Sequence, residues 1–185
     1  MNRPIAACLA LAACASAVGA PVPKDTAPPL YFPTTVGAKW VYERDNLNDE
    51  VITVARVDKV DGGLLVSRAG EQGDETQYLK MLVSADGLRQ PRQDAEEKDD
   101  PVWLLKARVR SGDSWDVGDG TRTVSGPEEI KVPAGTYKAL KVVWERDGGT
   151  LTSWYAPGVG EVKRVEKIGG RPERATRVLK SFQPK

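Results

Sequence analysis

Apolar and β-favouring residues fill residues 136–146, and the two-residue period of a strand places Leu140 and Trp144 on one face. An Asp-Gly-Gly sequence follows at 147–149. Glycine accepts the positive φ angles of a tight hairpin turn. A second β-rich run occupies residues 150–155. We therefore predict a β-hairpin in this part of the chain.

Similar short runs, separated by turns rich in Gly, Pro, Asn and Asp, recur along the chain. A second Asp-Gly-Gly sequence at 61–63 predicts another hairpin. Residues 101–110 are too apolar for an exposed loop and predict either a strand or one turn of helix. Further strands are predicted over residues 40–44, 50–60, 64–69, 76–84, 88–93, 128–132, 162–167 and 174–182.

No segment has the apolar stripe of a helix over ten or more residues. The regular spacing of strands and turns predicts an all-β, mainly antiparallel fold. We expect a curved open sheet or half-barrel, and a two-sheet β-sandwich is the alternative.

The N-terminal 20 residues predict a secretory signal peptide, because Arg3 precedes an uncharged run that ends in small residues. Cys14 ends a Leu-Ala-Ala-Cys sequence that resembles the lipobox at which bacterial lipoproteins are cleaved and acylated. We expect an exported protein, either free in the periplasm or outside the cell, or lipid-anchored through Cys14. Residues 21–30 predict a Pro-rich tether, and residues 31–185 a single antiparallel β domain.

Charge and cysteine content exclude several classes of protein. Both cysteines, Cys8 and Cys14, lie in the predicted signal peptide, so no disulfide is expected in the mature domain. Without Arg3 the basic and acidic residues balance, which makes nucleic acid an unexpected partner. Basic residues outnumber acidic ones from Lys163 onward, which we interpret as a solvated strand face. The alternative is a basic edge that contacts anionic lipid headgroups.

The chain contains no histidine, which removes the usual general base and the commonest metal ligand. The acidic run at 94–100 lacks the glycine and terminal glutamate of a calcium loop. No phosphate-binding glycine loop is present. We therefore predict no catalytic residue, no metal and no cofactor.

The five tryptophans are the most suggestive residue class for ligand binding. Trp144 and Trp154 lie on strands joined by one turn and are expected to be near neighbours. With Trp103, they are the predicted ligand-binding residues, because an indole on a concave face can stack on a sugar or pack against an acyl chain. The alternative is that each tryptophan fills the core.

Several short sequences resemble a group of bacterial exported β proteins that includes the TapB-like proteins and related domains of uncharacterised function. They are VPAGTYK at 132–138, WYAPGVGEV at 154–162, YFP at 31–33, WVY at 40–42 and GDSW at 112–115. The resemblance implies a curved antiparallel sheet distantly similar to the half-barrels of the lipoprotein carriers LolA and LolB. It brings no active site with it.

Three functions follow, in order of preference. The first is a non-enzymatic envelope protein that binds an apolar or amphipathic ligand such as a lipid. The second is a structural or interaction module that docks on another envelope component through a sheet edge or its basic C-terminal strand. The third is a hydrolase that uses a pair of carboxylates.

Overall fold

The computed structural model describes residues 29–45, 47–70, 80–91 and 101–185. The predicted signal peptide with Cys14, most of the predicted tether and the acidic run at 94–100 lie outside the described residues. Within these ranges the secondary structure consists of strands and turns, and no helix is long and apolar enough to cross a membrane.

Twelve strands form between these turns. They are β1 Lys39–Glu43, β2 Glu50–Val60, β3 Gly63–Gly70, β4 Lys80–Ser84, β5 Gly87–Gln90, β6 Val102–Lys106, β7 Ser114–Asp116, β8 Gly120–Val132, β9 Gly135–Arg146, β10 Gly149–Ala156, β11 Gly160–Ile168 and β12 Arg174–Gln183.

All twelve strands belong to one antiparallel sheet, in the order β6-β5-β4-β3-β2-β1-β12-β11-β10-β9-β8-β7. Strands that are consecutive in sequence pair with each other, except β6 and β7, which form the two edges. The pairing of β1 with β12, which sets Trp40 opposite Phe182, joins the two halves. The predicted all-β open sheet is confirmed, and the described strands form this single sheet rather than a sandwich.

The sheet curves strongly, so that strands far apart in the sheet order face each other. Leu104 on β6 and Tyr155 on β10 are eight positions apart in that order, yet they line the same cavity. The two edges also contact each other at Trp115 on β7, whose indole Nε1 donates to the carbonyl oxygen of Trp103 on β6 at 3.2 Å and whose ring centre lies 5.7 Å from the Lys106 ammonium. The curvature gives the sheet a concave inner face.

Apolar side chains pack on this inner face and form the core. Trp40 is fully buried between Phe32 and Phe182, with ring centroids 5.3 and 5.7 Å away. Its indole Nε1 donates to the carbonyl oxygen of Val159 at 2.8 Å, which satisfies the polar atom of a buried aromatic ring. This contact ties β1 to the turn between β10 and β11.

The predicted hairpins at the two Asp-Gly-Gly sequences are confirmed as β2–β3 and β9–β10. Gly148 has a φ of 83°, the left-handed conformation that favours glycine. The ambiguous segment at 101–110 contains strand β6. One predicted strand was too short, because residues 120–132 form β8 with a bulge between Val124 and Gly126.

Candidate functional site

The inner face of the sheet forms a cavity of about 140 Å³ that is partly open to solvent. One part of its wall is apolar and consists of Phe32, Met81, Leu88 and Leu104. The other part carries the side chains of Tyr42, Arg68, Gln90, Tyr155, Glu161, Arg164 and Arg177. Aromatic and aliphatic groups therefore lie beside a group of charges in one cavity.

A β-bulge places two of these charges together. Residues three apart in a regular strand point to opposite faces of the sheet. In β11, however, Glu161 is opposite Tyr155 and Arg164 is opposite Ser153, because the pairing shifts between Trp154 and Tyr155. The extra residue of the bulge brings the side chains of Glu161 and Arg164 onto the same inner face.

The carboxylate of Glu161 is 8% exposed and accepts four hydrogen bonds. Arg164 donates two of them, from Nε and Nη2, each at 2.8 Å. Ser153 Oγ donates at 2.7 Å and Arg177 Nη1 at 3.3 Å. Burial alone would raise the pKa of Glu161, but Arg164, Arg177 and the Ser153 hydroxyl outweigh burial and hold this pKa below its ordinary value. Glu161 is therefore ionised at neutral pH.

Arg177 connects Glu161 on β11 to residues of β1 and β2. Its Nη2 donates to Glu50 Oε2 at 2.6 Å, and its guanidinium lies 4.9 Å from the centre of the Tyr42 ring. The Tyr42 hydroxyl donates to the backbone oxygen of Glu161 at 2.8 Å. Burial, reinforced by Glu161, raises the pKa of Tyr42, so its hydroxyl stays protonated and acts as a hydrogen-bond donor.

Arg68, from β3, supplies a third positive charge at the cavity. Its guanidinium lies 5.3 Å from the centre of the Phe32 ring. Burial lowers the pKa of Arg68 to about 10, and the charge of Arg177 acts in the same direction. The described lining thus contains three arginines and one carboxylate, Glu161, and the neighbouring carboxylate of Glu50 pairs with Arg177. This arrangement favours the binding of an anionic group.

The described residues offer little for catalysis or metal binding. They contain no group of three or more His, Cys, Asp and Glu side chains that could hold a metal ion. Glu161 is the one carboxylate among the described residues that line the cavity, and arginine and serine donors already surround it. A glycosidase mechanism needs two carboxylates across a cleft. The arrangement is suited to binding.

Trp144 and Trp154 lie on opposite faces of the sheet. Trp144 is opposite Leu151, whereas Trp154, three residues further along β10, is opposite Lys141. An odd offset along a strand reverses the face. The expectation that the two tryptophans are near neighbours is therefore wrong for their side chains, although their strands are adjacent.

The surroundings of these two tryptophans differ accordingly. Trp154 is buried and lies between the ammonium groups of Lys141 and Lys163, at 5.5 and 5.4 Å from the ring centre. Its Nε1 donates to Glu128 Oε1. Trp144 is half-buried on the same face as Tyr155, because residues 151, 153 and 155 of β10 share that face.

Trp103, the third tryptophan predicted to bind ligand, lies on the edge strand β6. The Arg89 guanidinium is 4.8 Å from its ring centre and the Lys106 ammonium is 5.9 Å away. None of the three tryptophans lines the 140 Å³ cavity. Their role in ligand binding stays a prediction.

The charged residues of the cavity were not predicted from the sequence. One signal could have found Arg68, since this charge interrupts the apolar strand sequence Leu-Leu-Val-Ser-Arg-Ala at 64–69. Arg164 and Arg177 gave no such signal, because they lie in a segment where basic residues recur and read as solvated strand positions.

Comparison with known proteins adds evidence on the fold. No family model and no curated protein matches the sequence. A solved structure of an exported protein with a YmcC-like fold, from Bacteroides fragilis, has a TM-score of 0.61 at 16% identity and covers 84% of this chain and 99% of its own. A lipoprotein from Parabacteroides distasonis has a TM-score of 0.52, also at 16% identity and the same coverage. The chain thus has the fold of these two bacterial proteins.

Proposed function

We propose that this chain is an exported, non-enzymatic binding protein whose cavity holds the anionic end of an amphipathic ligand. The observation that supports this most is the set of three arginines, Arg68, Arg164 and Arg177, that line one cavity together with a single carboxylate, Glu161. Guanidinium groups bind carboxylates and phosphates through charge-assisted hydrogen bonds. A ligand with such a group would be held by these arginines.

The apolar wall explains why the ligand would be amphipathic. Phe32, Met81, Leu88 and Leu104 lie beside the arginines and suit a short stretch of hydrocarbon. A cavity of about 140 Å³ is close to the roughly 150 Å³ of an engineered protein cavity that binds benzene. It has room for an acidic group and a few methylenes, so the rest of a lipid would extend outside it.

Export belongs to the same proposal. The predicted signal peptide supports it, as do the two proteins of the same fold, which are described as an exported protein and a lipoprotein. Acylation of Cys14 would hold residues 31–185 near a membrane through the predicted tether. A functional relation to TapB-like proteins or to the carriers LolA and LolB would fit, since those carriers bind lipid-modified partners in a curved sheet.

The alternative function, docking through the basic C-terminal strand, has less support. β12 lies inside the sheet between β1 and β11. Its basic residues are also paired, since Arg174 contacts Asp45 at 3.5 Å and Lys180 contacts Asp49 at 2.7 Å. A docking module would have to use the edge strands β6 and β7, and cross-linking in cells should then recover one dominant partner.

Calorimetric titration with octanoate, octyl phosphate and uncharged octanol tests the proposed function. We expect the two anions to bind at least about tenfold more tightly than octanol, because hydrogen bonds to a charged group contribute about 1.5–3 kcal/mol. The variant Arg68→Met should weaken anion binding by a similar factor while keeping an apolar side chain of comparable length. The control Arg56→Met removes an exposed arginine on the neighbouring strand β2 and should leave binding unchanged.

Equal binding of octanol and octanoate would show that charge does not select the ligand. Loss of binding in Arg56→Met as well as Arg68→Met would point to general electrostatic attraction instead of the cavity. Either result would overturn the proposal.

A further inference from the structure

Two buried hydrogen-bond donors lie on the inner face of the sheet outside the cavity lining, and neither has a partner among the described residues. They are Arg122 Nε, on β8, and Trp144 Nε1, on β9. Arg122 is 6% exposed, and its guanidinium lies 4.7 Å from the centre of the Trp144 ring. A buried donor without a partner costs about 1–3 kcal/mol, so such groups are almost always satisfied in a folded protein.

Arg146, the second arginine that contacts the Trp144 ring, differs from Arg122 because it has an acidic partner. Arg146 lies on Trp144 at 4.8 Å and forms an ion pair with Glu166 at 3.1 Å. No acidic side chain of the described residues lies within ion-pair distance of Arg122. Arg122 therefore has no ion-pair contact among the described residues, and Glu161 and Asp119 act on its charge only from a longer distance.

Strand register places these donors on the face that carries the cavity. Arg122 is opposite Trp144, and Trp144 is opposite Leu151. Leu151 lies two residues from Ser153, which is opposite Arg164. Residues two apart in a strand share a face. Arg122 and Trp144 therefore lie on the inner face, on the side of the cavity formed by Arg164.

The separation between the two groups follows from the same register. Arg122 and Arg164 are on strands three positions apart, or about 14 Å across strands that are spaced about 4.8 Å, and Arg122 is in register with Glu166, which is about 7 Å along β11 from Arg164. Their Cα atoms are therefore about 16 Å apart along the sheet. Because this face is concave, the two side chains converge, which shortens the distance between their charged ends to the order of 10 Å. Burial lowers the pKa of Arg122, while Tyr155 and Glu161 of the cavity wall oppose that effect, in keeping with this proximity.

We propose that the ligand carries a second anionic group, which accepts hydrogen bonds from Arg122 Nε and Trp144 Nε1 while its first anionic group occupies the arginine-lined cavity. This inference rests on the proposed function. The ligand class is then an amphiphile with two acidic groups on the order of 10 Å apart. Trp144, predicted from the sequence as a stacking surface, would act through its indole nitrogen.

The test compares mono- and dicarboxylates of equal chain length by calorimetry. The pairs are hexanoate and adipate, octanoate and suberate, and decanoate and sebacate. We expect at least one dicarboxylate to bind about tenfold more tightly than its monocarboxylate, as two added charge-assisted hydrogen bonds predict. The preferred length would report the distance between the two sites.

Two variants assign that preference to the second site. Arg122→Met removes the charge, and Trp144→Phe removes Nε1 but keeps an aromatic ring. In either variant the dicarboxylate should lose its advantage of about tenfold, while the affinity for the monocarboxylate stays unchanged. The ratio of the two affinities is the readout, because a merely structural role for Arg122 would lower both affinities together.

The outcomes separate the two proposals. Binding of monocarboxylates with no advantage for any dicarboxylate overturns this inference and leaves the proposed function standing. An advantage that persists in both variants also overturns it, since another group would then hold the second anion. Failure of every carboxylate to bind overturns this inference, and failure of octyl phosphate as well overturns the proposed function.

Discussion

Glu161 accepts hydrogen bonds from two arginines of the cavity, and its replacement by glutamine tests how much these charged contacts stabilise the fold. The carboxylate accepts hydrogen bonds from Ser153, Arg164 and Arg177. Glu161→Gln preserves the shape of the side chain and one acceptor oxygen but removes the negative charge. Arg164 then remains in place without its partner, and Arg177 keeps Glu50 alone.

The size of the effect follows from the exposure of these groups. Removing one partner of a fully buried ion pair costs about 3–5 kcal/mol, because the other charge is left uncompensated. The Arg164 side chain is 34% exposed, so solvent screens part of its charge, and Arg177 retains its contact with Glu50 at 2.6 Å. We therefore expect a loss of about 2–3 kcal/mol. For a chain of this size that corresponds to a fall in Tm of roughly 4–12 °C.

Urea unfolding followed by tryptophan fluorescence measures this loss. The control is Asp58→Asn, which breaks the surface ion pair of Arg56 and Asp58, whose side chains are 67% and 40% exposed. An exposed pair of this kind contributes little, so we expect the control to change the free energy of unfolding by less than about 0.5 kcal/mol. If Glu161→Gln were no more destabilising than Asp58→Asn, the buried network would not stabilise the fold and the reasoning above would be wrong.

Three further predictions concern pH, turn geometry and an outer-face hydrogen bond. The pKa of Glu161 is lower in the folded state than in the unfolded state, where it is about 4.3. The ionised carboxylate therefore stabilises the fold fully above the unfolded-state pKa, and this stabilisation is lost as pH falls through the folded-state pKa. The difference in free energy of unfolding between wild type and Glu161→Gln should thus be smaller in urea titrations at acidic pH than at neutral pH. Gly149→Ala should lower the free energy of unfolding in urea by about 1–3 kcal/mol, because the added Cβ would lie 2.0 Å from a carbonyl oxygen of β11. Gly148→Asn should lower it by less than about 1 kcal/mol, because Gly148 is at an open turn position with a φ of 83°. Equal losses in the two variants would contradict the close contact at Gly149. Trp154→Phe should lose about 1 kcal/mol through its hydrogen bond to Glu128, and Glu128→Gln, which keeps an acceptor, should lose less in the same assay.

Local sequence was a good guide to the hairpins and a poor one to the site. The Asp-Gly-Gly sequence at 147–149 predicts the β9–β10 turn because Gly148 accepts the positive φ of that turn, and Gly149 also allows β11 to approach closely. The pairing partner of β12 had no such local signal. It is set by contacts such as that of Trp40 with Phe182, which are more than a hundred residues apart in the chain.

The sequence by itself determined the class of fold, the turns, the absence of histidine chemistry and the predicted export signal. Only the tertiary structure decided which side chains meet. Glu161 and Arg164 share a face because a bulge shifts the register of β11, and Trp144 and Trp154 are separated because their offset along the pair of strands is odd. The physical reason is that a strand pattern fixes the two faces of a strand, whereas bulges and curvature, which arise from pairing between distant segments, decide which faces enclose a cavity.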